Sequence, residues 1–256
     1  MAVLEDVSSP PATGLRPRGA GQRERWSRRL PLLPALIFTI VVTQVPFLVT
    51  LWYSFQSYFW NEPGGAHWTG ISNYKEVFTD PNFRSALWRS VTMTAIAVIV
   101  AMVLGILLAV LLDKKFLGRG IVRTLIITPF LVMPAAAALI WTGPMLDPNF
   151  GLLNWLLEPF GVNHVAWLTT HAYGSVIVVM IWQWTPFMML IVLAGLQSQA
   201  QDTLEAAKVD GASAWATFRE LTLPHLRPYI ELGVLLGSIY LVTAFDQVRL
   251  MTNGGP

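Results

Sequence analysis

Residues 30–60 contain no Asp, Glu, Lys or Arg, and three later stretches, residues 90–112, 124–141 and 175–197, are equally free of charge. A helix of about 20 apolar residues, rising 1.5 Å per residue, crosses roughly 30 Å of hydrocarbon, so each stretch is long enough to span a bilayer. Several such runs dictate a helical bundle in lipid, because a helix satisfies its own backbone polar groups where water cannot. A fifth span over residues 229–251 is weaker, since its charge-free run between Glu231 and Asp246 is only 14 residues. Both acids lie near its ends, where carboxylates reach interfacial water. The expectation is five spans, at about 30–54, 90–112, 124–141, 175–197 and 229–251, inside one transmembrane domain covering residues 30–256.

Composition agrees. Of 256 residues, 54% are hydrophobic and 12% charged, about half the charge of an ordinary soluble domain. Too little polar surface remains to coat a soluble globule, and disordered, collagen-like and strongly nucleic-acid-binding classes are excluded with it. The absence of cysteine removes disulfides, Cys-zinc sites, iron–sulfur clusters and thiol catalysis. His67, His164, His171 and His225 are scattered without an H-E-x-x-H pair, which argues against a metal site. No G-x-x-x-x-G-K-[ST] phosphate loop occurs, and Gly118-Arg119-Gly120 lacks its lysine and spacing. The chain is expected to carry no cofactor and no catalysis of its own.

Residues 1–29 form a polar leader with Pro10, Pro11, Pro17 and six arginines, expected to be disordered and cytoplasmic. A cleaved signal peptide is the competing reading. The apolar stretch that follows is too long for one, and no A-x-A-like site closes it. Counting basic residues orients the bundle. Leader, loop 113–123 and segment 198–228 hold thirteen Lys and Arg; the other side holds Lys75, Arg84, Arg249 and the borderline Arg89. The N-terminus is therefore expected inside.

The most informative segment lies between the fourth and fifth spans. Asp202 followed by Glu205 has the D-x-x-E form of a helix start, and Gly211 suits a helix stop. Ser213 can cap a second short helix with Trp215, Phe218 and Leu221 on one face, which Leu223-Pro224 is expected to end. The pattern reads as a compact helix–turn–helix slung under the membrane, with small alanines at its tip. A DNA-binding unit is disfavoured, because the second helix offers Arg219 beside Glu220 and no basic stripe. An amphipathic linker on the headgroups and a docking element for a cytoplasmic partner remain.

Glu205-Ala206-Ala207, then Gly211, then Leu221-Thr222-Leu223-Pro224 matches a known signature, E-A-A, three residues, G, nine residues, I-x-L-P, with leucine in place of isoleucine. On these residues the chain resembles the permease subunits of binding-protein-dependent ABC importers. Pro46, Trp52-Tyr53-Ser54-Phe55, Gly70-Ile71-Ser72-Asn73-Tyr74 and Thr252-Asn253-Gly254-Gly255-Pro256 are similar to its carbohydrate branch. Three segments, 129–134, 147–152 and 182–187, look closest to sorbitol and mannitol (polyol) permeases. The resemblance implies an all-α, polytopic transmembrane bundle with the type I ABC importer permease fold in a bacterial inner membrane. It implies partners too: a second homologous permease, a cytoplasmic ATP-binding subunit dimer, an external substrate-binding protein, membrane lipid, and a neutral sugar or polyol as substrate. Glu205, Ala206, Ala207, Asp210, Gly211, Leu223 and Pro224 would then couple to the ATPase. Relatives continue past Gly-Gly-Pro with a sixth span, so the sequence is expected to be truncated or a portion of a longer protein, a working five-span permease being the other reading.

Polar groups at membrane depth are candidates for the substrate pathway. Asp246 and Gln247 lead, followed by Trp182-Gln183-Trp184 and then Gln44. Indoles could stack on sugar rings while the amide bonds their hydroxyls; interfacial belts and helix-bridging glue are the competing roles. Outside this family, an ion-coupled secondary transporter and a membrane scaffold or sensor are the alternatives.

Overall fold

The structure, a computed structural model, describes residues 30–57, 65, 67–114, 116–162 and 164–254. The basic leader expected over residues 1–29 lies outside them, as do the last two residues of the Gly-Gly-Pro stretch. The chain divides into two compact units after Phe83.

In the first unit, a 3-10 turn at Leu30–Leu32 leads into α1 (Leu33–Ser54). α1 is apolar on all sides and buries none of its residues within the protein. The hydroxyls of Thr39, Thr43 and Thr50 donate to the carbonyls of Ala35, Thr39 and Pro46. Such a helix, apolar all round with its hydroxyls satisfied internally, suits lipid. Beyond it, β1 (Gln56–Ser57) and β2 (His67–Trp68) pair antiparallel. Helix α2 (Ser72–Thr79) is then pinned to the end of α1. Asn73 Nδ2 donates to the carbonyls of Ser54 and Gln56, both at 3.0 Å, and Phe55 stacks on Trp68 at 5.6 Å.

The second unit begins inside α3 (Pro81–Asp113), at 33 residues the longest helix among the described residues. Then come α4 (Arg119–Leu131), α5 (Pro134–Ile140), a π-helical turn at Trp141–Met145, α6 (Leu152–Leu157), α7 (Trp167–Thr170) and α8 (Ala172–Gln197). Two short helices follow, α9 (Gln201–Val209) and α10 (Ala214–Thr217), then a π-helical turn at Phe218–Thr222, α11 (Leu223–Val242) and α12 (Asp246–Thr252). The core forms where α3, α8 and α11 meet. Ala97, Ala101, Gly105 and Ala109 recur every fourth residue on α3 and are buried, the small-residue spacing that lets helix backbones approach in membranes. Gly105 sits against Met188 and Met189 of α8, and Gly233 and Gly237 of α11 sit against Met102 and Met188. Methionine, unbranched and flexible, fills the irregular gaps between these small residues.

Three helices, α1, α3 and α8, are long and apolar enough to cross a membrane, or up to five spans if each bent pair counts as one. Three sequence expectations need correction. The third span is not one helix: α4 and the α5 segment meet at 101°. Val132 and Met133 are extended there, with ψ of 130° and 138°, because a residue before proline is pushed out of the helical region and Pro134 has no N–H to donate. Leu223-Pro224 does not end the second short helix, since helical structure runs unbroken from Ala214 to Val242. The wider π turn at Phe218–Thr222 accommodates Pro224, whose ring would clash with the carbonyl four residues back in a regular helix. The helix that carries the fifth span thus begins well before residue 229, and α12 bends away from it by 49°. Finally, α9 starts at Gln201 without a side-chain cap. Asp202 lies in its first turn, where its charge suits the helix dipole but forms no capping box.

Candidate functional site

The segment between α8 and α11 folds as a tight helix–turn–helix. Gly211 adopts φ of +78°, a conformation that costs glycine nothing and other residues strain. Its N–H donates to the Lys208 carbonyl at 3.1 Å, and that of Ala212 reaches back to Ala207 at 2.9 Å. These two bonds are the Schellman stop that the sequence position of Gly211 predicts. Ser213 then caps α10, its Oγ accepting from the Ala216 N–H at 3.2 Å. Glu205, Ala206, Asp210 and Gly211 are exposed, Ala207 is buried, and Leu223 and Pro224 are exposed at the start of α11. Trp215 stacks on Phe218 yet stays 69% exposed.

Sequence reasoning missed what ties this segment at its base. Ser198 Oγ donates to the Gly195 carbonyl at 2.8 Å, and Tyr229 OH lies 2.8 Å from Ser198 Oγ. His225 Nε2 is 3.1 Å from both the Gly195 carbonyl and Ser198 Oγ. Gly195 makes this possible, because a Cβ there would stand 2.8 Å from the Tyr229 ring. The end of α8 and the start of α11 are thereby pinned together. The glycine near a helix end was visible in the sequence; the partners 30 residues away were not.

Among the membrane-depth candidates, the structure joins Gln183 and Gln247. The Gln247 amide donates to Gln183 Oε1, and Gln183 Nε2 donates to the Val132 carbonyl at 2.6 Å. That carbonyl belongs to the break between α4 and α5, so one buried chain of amides links the break to α8 and α12. Trp182 and Trp184 are not brought together. Trp182 packs edge-on against Trp141, whereas Trp184 meets Phe130, Phe187 and Tyr240. Residues two apart on a helix point to opposite sides. Asp246 is exposed although Gln247 beside it is 2% exposed. Among the described residues, the Gln44 side chain bonds only Thr43 on its own helix. Among the described residues, no group of three or more His, Cys, Asp or Glu could hold a metal ion.

Residues 101–256 match the family described as binding-protein-dependent transport system inner membrane component. The chain belongs to this family. It is 39% identical over 226 residues to a probable ABC transporter permease protein of Sinorhizobium fredii, covering 88% of this chain and 73% of that one. It is also 33% identical over 239 residues to the trehalose/maltose transport system permease protein of Thermococcus litoralis, covering 91% and 79%. A solved bacterial alginate ABC transporter, in complex with an alginate pentasaccharide-bound periplasmic protein, contains a chain of the same fold. The TM-score is 0.70 at 22% identity, over 91% of this chain and 81% of that one.

For an inner membrane component, the amide chain is first a packing device. Removing one buried partner strands the other, at about 1–3 kcal/mol, whereas replacing both by apolar groups of similar shape can be nearly neutral. Gln183→Leu and Gln247→Leu should therefore each lower the melting temperature of the detergent-solubilised protein. The double variant should lose less than the sum. Strict additivity in thermal melts of the three variants would argue against the bond.

Proposed function

We propose that this chain is one membrane-spanning half of an ATP-driven importer of neutral saccharides. Residues 30–256 form its transmembrane domain and residues 198–228 its cytoplasmic coupling segment. The observation that supports this best is the helix–turn–helix built on Glu205-Ala206-Ala207, Gly211 and Leu223-Pro224 at the family's spacing. The exposed Ala206, Ala212 and Ala214 let a cytoplasmic ATPase subunit come close, and Glu205 and Asp210 offer it charge. A second permease completes the pore, and an external binding protein delivers the ligand, a reading that the words binding-protein-dependent in the family's description support for the latter. Docking drives transport only if the ATPase contacts differ between the two states of the pore.

The excess of basic residues on one side supports a cytoplasmic N-terminus. In intact cells, an impermeant thiol reagent should label Phe160→Cys and spare Ala212→Cys, both introduced into a chain without native cysteine. The opposite pattern would invert the topology and separate the coupling segment from any ATPase.

The named function of the Thermococcus relative supports a saccharide, and the segments 129–134, 147–152 and 182–187 support a polyol. Both are neutral and rich in hydroxyls. No Lys or Arg lies in α1 or α8, so an anionic ligand would lack a counter-charge from these helices. Gln183 and Gln247 are engaged with each other, and Trp182 and Trp184 with other aromatics. Direct hydrogen bonding to substrate therefore falls to the exposed Asp246 at the start of α12, and the other four hold the pathway in shape. Uptake by the assembled transporter, competed with trehalose, maltose, sorbitol, mannitol and glycerol phosphate, tests the class. Neutral competitors should block uptake, with Asp246→Ala weakening it. Exclusive inhibition by glycerol phosphate would defeat the reading, and uptake that persists without ATP would replace it with an ion-coupled carrier.

A further inference from the structure

The loop after the π-helical turn at Trp141–Met145 is built more firmly than a connector requires. Asp147 Oδ1 accepts from the N–H groups of Asn149 and Phe150, at 2.8 and 3.2 Å. Gly151 is buried, and a Cβ on it would run into the Asp147 carbonyl and stand 2.7 Å from the Asp147 nitrogen, so only glycine fits. Beneath them lies Asn154, 7% exposed. Its Nδ2 faces the carbonyls of Asp147, Pro148 and Val165 at 3.1, 3.2 and 3.1 Å, and its Oδ1 accepts from Trp167 Nε1 at 2.9 Å. This buried amide fixes the floor of an open cleft of about 410 Å³, within the roughly 300–1,000 Å³ usual for small-molecule sites.

Two aromatic rings flank that floor, Phe150 at 72% and Trp155 at 66% exposure. Leaving large rings in the open on a preorganised base forgoes hydrophobic burial, which points to something that covers them. The polar lining sets the chemistry of the occupant. Asn149 and Glu158 face the cleft with His164. His164 Nδ1 lies 3.2 Å from the Pro148 carbonyl. A carbonyl can only accept, so Nδ1 is the donor there, and in the neutral imidazole Nε2 is left as an acceptor. Glu158 and the neutral His164 Nε2 accept, and Asn149 offers both an acceptor and a donor, a set suited to hydroxyls, which donate and accept. Among the described residues no Lys or Arg lines the cleft, so a phosphate or carboxylate would meet Glu158 without compensation from them.

We infer that this cleft is a subsite for one ring of a neutral saccharide, stacked on Trp155 or Phe150 with its hydroxyls donated to Glu158, His164 and Asn149. The inference rests on the importer reading above, with residues 142–166 on the outer side. The subsite holds sugar before it enters the membrane and is separate from Asp246, which lies on α12.

The test uses the complete transporter in lipid nanodiscs, with maltose as probe and no binding protein present. Saturation-transfer NMR should detect ring protons of maltose with the parent protein and lose them in Trp155→Ala. Trp155→Phe should restore them, because a stacking face returns. With binding protein present, Trp155→Ala should raise the KM for uptake about tenfold, as expected for the loss of a stacking contact, and leave kcat within twofold. Identical NMR signals in parent and Trp155→Ala would overturn the subsite. So would a sugar-independent fall in binding-protein-stimulated ATP hydrolysis, which would assign the rings to protein docking, or unchanged KM, which would make Trp155 an interfacial anchor. A parent transporter that takes up no saccharide would fail the importer reading instead, a result separable from all of these.

Discussion

Gly105→Val should nearly eliminate folded protein from the membrane fraction, whereas Gly120→Ala should leave it unchanged or slightly more abundant. A Cβ on Gly105 would stand 2.7 Å from Met188 Cβ, 2.9 Å from the Met189 nitrogen and 3.0 Å from the Met188 carbonyl carbon. Two of these three atoms are backbone, so no rotamer change relieves the clash and α3 must move off α8. Overpacking of a tight core costs typically 1–3 kcal/mol for a methylene or two, and valine adds three carbons against a rigid wall. A loss of about 3 kcal/mol is a large share of the roughly 5–15 kcal/mol that keeps a domain folded. Gly105→Ala should lie between, with a melting temperature lower by roughly 5 °C. Gly120, in contrast, is exposed on α4 with nothing within 4 Å of an added Cβ, so alanine there gains helix propensity at no steric cost. Equal melting temperatures for Gly105→Val and the parent would mean that α3 and α8 do not pack through this seam.

Glu205→Lys and Gly211→Val should both cut transport by more than tenfold while leaving the protein in the membrane. The two act differently. Glu205 is exposed on α9, so lysine leaves the local fold intact and only inverts the charge offered to a partner; a like-charge or unpaired contact costs several kcal/mol at a close interface. Gly211 has open space around it but needs positive φ, so substitution there strains the turn that aims α9 against α10. The conformational origin predicts a graded series at position 211. Asn tolerates the left-handed region and should be mildest; Ala should be intermediate, and a β-branched Val worst. ATPase subunit retained on washed membranes, measured beside uptake, separates lost docking from lost transmission. Normal uptake in both Glu205→Lys and Gly211→Val would remove the docking role from this segment.

What the sequence makes legible follows from local rules. Lack of charge marks α1, α3 and α8 as apolar helices, and Gly211 and Ser213 sit where short-range hydrogen bonding needs them. The same polarity argument singles out Gln183 and Gln247, and the structure bonds them to each other. Features set by distant partners escape this reading. Hydropathy averages over direction, so residues 124–141 look continuous although Pro134 breaks them, and the Val132 carbonyl freed at the break finds Gln183 some 50 residues on. Pro224 reads as a stop because the π turn that absorbs it has no sequence signature. The pin of Ser198, His225 and Tyr229 requires α8 and α11 to be adjacent, which no local pattern states. The ladder of Ala97, Ala101, Gly105 and Ala109 was there to be read in its four-residue spacing, but hydropathy scores those residues only as mildly apolar.

Helical structure without interruption from Ala214 to Val242 makes a rod about 43 Å long at 1.5 Å per residue. Its pivot is defined: the start of α11 is tied to the end of α8 through His225 and Tyr229, near the middle of the rod. One arm, residues 214–224, carries Trp215, and the other, residues 230–242, runs to the bend before Asp246. On so nearly balanced a beam, a displacement imposed at one end reappears at the other at about the same size and in the opposite sense. Motion at the helix–turn–helix would therefore reach the far bend reversed in direction, neither geared up nor geared down.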